Sequence, residues 1–144
     1  VLPDGPVKRL AERPSPIDFR AVEPRDWLRP EGREPISHVW FRTVASLPSY
    51  PPIHRAVLAY ISDFQLLGTA LHPHGKAIFS PEVKGASLDH AIWFHEPFAV
   101  DEWMLYVTES PWSGHARGLG RGQIFTRDGR LVASVMQEGM LRHT

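Results

Sequence analysis

Residues 54–71 read HRAVLAYISDFQLLGTAL. No proline falls between Pro52 and Pro73, and the apolar residues run nearly all round a helical wheel. This predicts a buried helix of about four to five turns. Gly68 weakens its last part, and HPHG at 72–75 ends it. A helix that is apolar on all sides needs cover on all sides. The rest of the chain must supply it.

The chain after the helix reads as β. SLDHAIWFH, residues 87–95, is a candidate strand closed by Glu96 and Pro97. WMLYVTES, 103–110, is a second. HARGLGRGQIFT, 115–126, and RLVASVMQEGMLR, 130–142, flank Arg127, Asp128 and Gly129, and Asp-Gly between two such runs is a strong hairpin signal. Before the helix, HVWFRTVAS at 38–46 is rich in β-branched and aromatic residues and reads as a strand, broken by SLPSYPP. The sum is an α+β domain, in which one long helix is wrapped by a curved antiparallel sheet. Seven of the 14 prolines fall in residues 1–37. Residues 1–14 therefore read as a Pro-rich linker or extension and residues 15–144 as one domain, with PSPIDFRAVEP at 14–24 holding a short edge strand.

Composition narrows the function classes. A chain of 144 residues, 42% apolar, suits one domain with a real core. Lys plus Arg and Asp plus Glu are both 16, so there is no basic excess of the kind that nucleic-acid binders show. No apolar run is long enough to span a bilayer. Cysteine is absent, which removes disulfides, thiolate nucleophiles and Cys-based zinc sites. No charged-then-apolar leader opens the chain, and its LRHT end is not a Ser-Lys-Leu type of tail; both point to a cytoplasmic setting. The first residue is Val, which fits a chain processed or cut from something longer.

Three polar residues stand in apolar places. Asp63 shares its helical stripe with Ala59, Tyr60, Leu66 and Leu67. Burial raises the pKa of a carboxylate, and donors to its charged form lower it again. A structural Asp63 bonded to Ser62, Tyr60 or a loop is one reading of it; a catalytic carboxylate is the other. Strand alternation puts Gln137 on one face with Leu131, Ala133, Val135, Gly139 and Leu141, where an amide without partners costs about 1–3 kcal/mol. Ser87 opens its candidate strand on the face of Asp89, Ala91 and Trp93; a hydroxyl bonded to backbone is the plain reading there. Together the three types make chemical sense. A carboxylate can take a proton from water, and an amide and a hydroxyl can fix that water.

LAYISDF, LLGTALHPHG, ASLDHAIWFHEPF, DEWMLYVTESP, ARGLGRGQIFTRDGRLVAS and MQEGMLR, taken as a set, resemble the C-terminal half of the acyl-CoA thioesterase II family. The resemblance covers about Ile17 to Arg142. It implies the hot-dog fold and hydrolysis of acyl-CoA thioesters to free fatty acid and CoA. It also implies that Asp63, Ser87 and Gln137 are the catalytic set, with no cofactor beyond the CoA of the substrate. Members of that family join two hot-dog halves, and the first half has no counterpart here. The resemblance therefore implies an oligomer, in which a second hot-dog domain, this chain's own copy or a separate N-terminal half, completes the site.

Rival readings are weaker. His72, His74, His90, His95 and Asp89 offer no spacing that makes a natural metal-ligand pair, so no metal is expected. His90 reads as a core or strand-pairing histidine. There is no G-x-S-x-G elbow, and Ser113 or Ser87 with Asp89 and His90 is close in sequence only. Trp93, Phe94, Phe98, Trp103 and Tyr106 read as core. Arg117, Arg121, Arg127 and Arg130 are candidates for CoA phosphates and equally good as solvated strand-edge charges. Two functional alternatives remain: a non-catalytic half that completes a partner's site, and another reaction on acyl-CoA such as enoyl hydration.

Overall fold

Two prolines start the central helix. Tyr50 stands at the N-cap, and Pro51 and Pro52 occupy the first helical positions, where a missing N–H costs nothing. In the computed structural model, which describes residues 13–23, 26 and 29–143, this helix, α1, runs Pro51–Thr69. A short 3-10 turn, His72–His74, comes next and ends on Gly75 in the left-handed region (φ 60°). The entry to α1 is pinned by His54. Its Nδ1 accepts the Val100 N–H at 3.1 Å, and its Nε2 lies 3.1 Å from the Pro48 carbonyl, to which it donates.

The strands are β1 (Ile17–Ala21), β2 (Ile36–Thr43), β3 (Val83–Ser87), β4 (Ala91–Phe94), β5 (Met104–Gly114), β6 (Arg117–Thr126) and β7 (Leu131–His143). They form one antiparallel sheet in the order β1-β2-β5-β6-β7-β3, with β4 also paired to β7. The sheet curls round α1, the expected hot-dog arrangement. Leu58, Ile61 and Leu66 of the helix are fully buried against Phe41, Tyr106, Ile124 and Val132. The hairpin marked by Asp-Gly is present: β6 and β7 pair across it, with Gly129 at φ 90°. The short strand before residue 24 is β1, on the sheet's edge. Residues 1–14, read as a linker, lie outside the described residues except for Arg13 and Pro14.

Two expectations need correction. The first concerns 87–95, which is not one strand. The chain pairs with β7 as β3, leaves it at residues 88–90, and rejoins it as β4. Ser87 therefore closes β3 instead of opening a strand. The break has a physical cause. Leu88 and Asp89 both donate their backbone N–H to the Glu138 carbonyl, at 3.0 and 3.4 Å, and the Asp89 carboxylate accepts the Glu138 N–H at 2.6 Å. A side chain thus takes the place of a ladder carbonyl, and the edge steps outward. The second concerns the aromatics. Tyr106 is core, but Trp93 and Phe94 lie on the edge strand β4 and are 53% and 36% exposed.

Candidate active site

The site forms where α1 passes the break between β3 and β4. Ser87, the last residue of β3, donates its hydroxyl to Asp63 Oδ1 at 2.8 Å. Gln137, on the inward face of β7, donates Nε2–H to the same oxygen at 2.5 Å. The three residues that look misplaced in the sequence therefore touch one another, although 24 and 74 positions separate Ser87 and Gln137 from Asp63. Gln137 is 2% exposed. Its Oε1 is buried and has no hydrogen-bond partner among the described residues, and such an orphaned acceptor is rare in a folded chain.

Asp63 is not itself buried. It is exposed, as are its helical neighbours Tyr60 and Phe64, while Leu66 three residues on is fully buried. The carboxylate sits on the rim of the buried stripe, and its partners are Ser87 and Gln137, not Ser62 or Tyr60. Ser87 is likewise exposed. The site is open on the side that faces away from the sheet.

Its backbone is held from behind. The Ser62 hydroxyl donates to the Ala59 carbonyl at 3.0 Å and so must accept from His90 Nε2–H, 2.8 Å away. The Ser62 carbonyl accepts the Tyr106 hydroxyl at 2.7 Å. Ser62 is completely buried and precedes Asp63, so these two bonds fix the turn of helix that carries the carboxylate. Burial pushes the Tyr106 hydroxyl well above its ordinary pKa of 10, and the nearby Asp63 charge adds to the shift, so Tyr106 stays a neutral donor. In the sequence His90 and Tyr106 read only as core or strand-pairing residues, and this support is missed. The available signal is Asp89-His90, two residues after Ser87 and directly before the apolar run AIWF at 91–94.

The remaining candidates disperse. His72 Nε2 meets Arg33, His74 meets Ser113 and His95 meets Ser134. No cluster of three possible metal ligands occurs among the described residues. Ser87 and His90 do not bond each other; each goes to its own residue on α1. Arg121 is paired with Glu109, and Arg130 with Glu96 and Asp128. No described helix is long and apolar enough to cross a membrane.

A single long helix wrapped by a curled antiparallel sheet defines the chain as a hot-dog domain. The particular family comes from comparison. The profile of the acyl-CoA thioesterase family matches residues 11–140, and the chain belongs to that family. It is 41% identical over 140 residues to mouse acyl-coenzyme A thioesterase 8, covering 94% of this chain and 42% of that one. Against acyl-CoA thioesterase 2 of Haemophilus influenzae it is 46% identical over 103 residues, 72% of this chain and 36% of the relative. The crystal structure of an acyl-CoA thioesterase II from Mycobacterium marinum superposes with a TM-score of 0.76 at 42% identity, covering 99% of this chain and 56% of that one. The chain thus spans about half, or less, of the length of these relatives.

Proposed function

We propose that this chain hydrolyses acyl-CoA thioesters to a free fatty acid and CoA by direct attack of water. The observation that carries the reading is the meeting of Ser87 and Gln137 on one oxygen of Asp63, beside the unpartnered Oε1 of Gln137. Both donors go to Oδ1, which leaves Oδ2 for a water. Asp63 takes the proton of that water as it attacks the thioester carbonyl. In this reading Gln137 Oε1 accepts the second hydrogen and so aims the attack. The proton then passes from Asp63 to the departing CoA sulfur. Ser87 holds the carboxylate in place. A purely structural half would gain by making Gln137 apolar, since a buried amide oxygen with no partner among the described residues is costly.

The open side of the site supports a further part of the reading. A second hot-dog domain, either another copy of this chain or a separate N-terminal half, covers Asp63, Tyr60 and Phe64 and completes the site. Relatives about twice as long are consistent with this. The test is native mass and CoA release from decanoyl-CoA, measured on one sample of the purified chain and again with a candidate first half. An assembly that releases CoA supports the reading. A folded assembly that releases none, under both conditions, overturns it in favour of a non-catalytic half.

A further inference from the structure

Three elements present side chains to one groove in step. On α1, Asp63 and Leu67 lie a four-residue interval apart, and Leu71 beyond the helix end continues the stripe. On β3, Ser87, Gly85 and Val83 alternate onto the side facing the helix, and on β7 so do Gln137, Gly139 and Leu141. The pairing aligns them, with Ser87 opposite Gly139 and Gly85 opposite Leu141. The polar trio is therefore one end of a groove that turns apolar within a single layer.

The middle layer is built from two glycines and the side chains that fill their space. A Cβ on Gly139 would lie 2.4 Å from Leu67 Cδ1, and one on Gly85 would lie 2.6 Å from Ile78 Cδ1. Leu67 and Ile78 thus stand between the trio and the space beyond. There, Leu71, Val83, Ala116 and Leu141 line a cavity of about 280 Å³. Eight residues of helical rise put Leu71 about 12 Å from Asp63. Four residues of strand rise put Val83 about 13 Å from Ser87. The two measures agree on the length of the groove.

Cations also stand at this cavity, but two of them are answered. Lys76 is paired with Glu82 at 2.6 Å and Arg117 with Glu138 at 3.2 Å. Arg142 also stands at its wall, and the apolar side chains Leu71, Val83, Ala116 and Leu141 form the part that continues the line of the trio. We infer that the acyl chain of a thioester held at Asp63 runs along this groove, that its methyl end enters the cavity, and that Leu67, with Ile78, is the gate that sets the accepted chain length. This rests on the thioesterase reading above.

The test is kcat/KM for hexanoyl-, decanoyl- and tetradecanoyl-CoA with the wild-type chain, Leu67→Phe and Val83→Phe. Contacts of one methylene in an apolar pocket are worth about tenfold or more in discrimination. The ratio of tetradecanoyl to hexanoyl turnover should fall at least about tenfold in both variants. Val83 is on the edge strand, so this second variant keeps the test usable if Leu67→Phe folds poorly. Equal losses at all three lengths would overturn the inference. So would a KM rise for acyl-CoA in Lys76→Ala and Arg142→Ala that is absent with the phosphate-free N-acetylcysteamine thioester, because the cavity would then hold CoA phosphates. If the wild-type chain hydrolyses no thioester, the thioesterase reading fails by itself. The affinity of free decanoic acid for wild type and Val83→Phe then decides the cavity's role: equal affinities overturn it.

Discussion

The two sides of α1 differ more than any other two regions of this chain. One side, with Leu58, Ile61 and Leu66, is completely buried against the sheet. The other carries Tyr60 and Phe64, exposed by 63% and 52%, with Asp63 between them. Tyr60 and Phe64 pack edge to face at 5.1 Å, and Phe64 reaches Phe19 of β1 at 6.1 Å. The open side thus exposes aromatic surface, partly self-sheltered, around the Asp63 carboxylate. The difference teaches that one helix divides two tasks along its length. Its inward side supplies stability. Its outward side carries the carboxylate and, on the function proposed above, the surface for another domain. Ser62 and Asp63, adjacent in sequence, sit on either side of that line.

The sharpest way to break the division is to attack each side separately. Leu66→Ala should cost about 2–5 kcal/mol of stability, the range for removing a fully buried leucine side chain. Denaturant unfolding would read it, and a loss below about 1 kcal/mol would mean the inward side is not the core. Asp63→Asn should do the reverse. The asparagine amide keeps the size of the group and loses the base. CoA release should fall at least about a hundredfold, the scale of losing a general base, with the unfolding midpoint nearly unchanged. Unchanged turnover in folded protein would remove Asp63 from the mechanism.

The same line explains how much was legible in the sequence. The inward side was plain, because Leu58, Ile61 and Leu66 recur at helical spacing and Asp128-Gly129 marks a hairpin by local chemistry. Gln137 was visible because strand alternation is local too. The exposure of Asp63 was not visible. Its stripe neighbours are apolar, and only the course of the sheet decides which of them are covered. The break at 88–90 was hidden for a similar reason. It depends on the Asp89 carboxylate replacing a carbonyl on a strand 49 positions away. Ser87, Asp63 and Gln137 could be singled out one by one as odd, but their meeting needed the family resemblance first and the fold afterwards.

Tyr106 links the two sides, since it lies in the core and bonds the backbone of the turn that carries Asp63. Tyr106→Phe should cost about 1 kcal/mol, the low end for a lost buried hydrogen bond, because the Ser62 carbonyl keeps its helical partner. It should also change the alkaline limb. The folded chain holds the Tyr106 proton to a pH well above 10, while the unfolded chain releases it near 10. Stability from this group is therefore fully present below about 10 and is lost as pH rises through the folded pKa. The wild-type chain should lose stability above pH 10 more steeply than Tyr106→Phe. Parallel alkaline limbs would show that the hydroxyl is not held in that way. Turnover adds a second reading of the same variant: a fall in kcat with KM unchanged would mark Tyr106 as positioning Asp63 rather than binding substrate.

The smallest change should sharpen the comparison furthest. Ala56 is exposed on the open side, one turn before Tyr60. Ala56→Glu puts a charge there without removing any buried contact, and Glu is a good helix former. The chain's own unfolding midpoint should move by less than about 0.5 kcal/mol in equivalent stability. Association should respond quite differently. If a second domain covers this side, the new carboxylate must be desolvated or repelled in the assembly, and the dissociation constant should rise at least about tenfold. Sedimentation of both proteins over a concentration series would separate the two effects. A shift in association without a shift in stability would place the partner on the face that carries Asp63. Identical sedimentation with identical stability would mean that nothing docks there, and the site would have to work open to solvent.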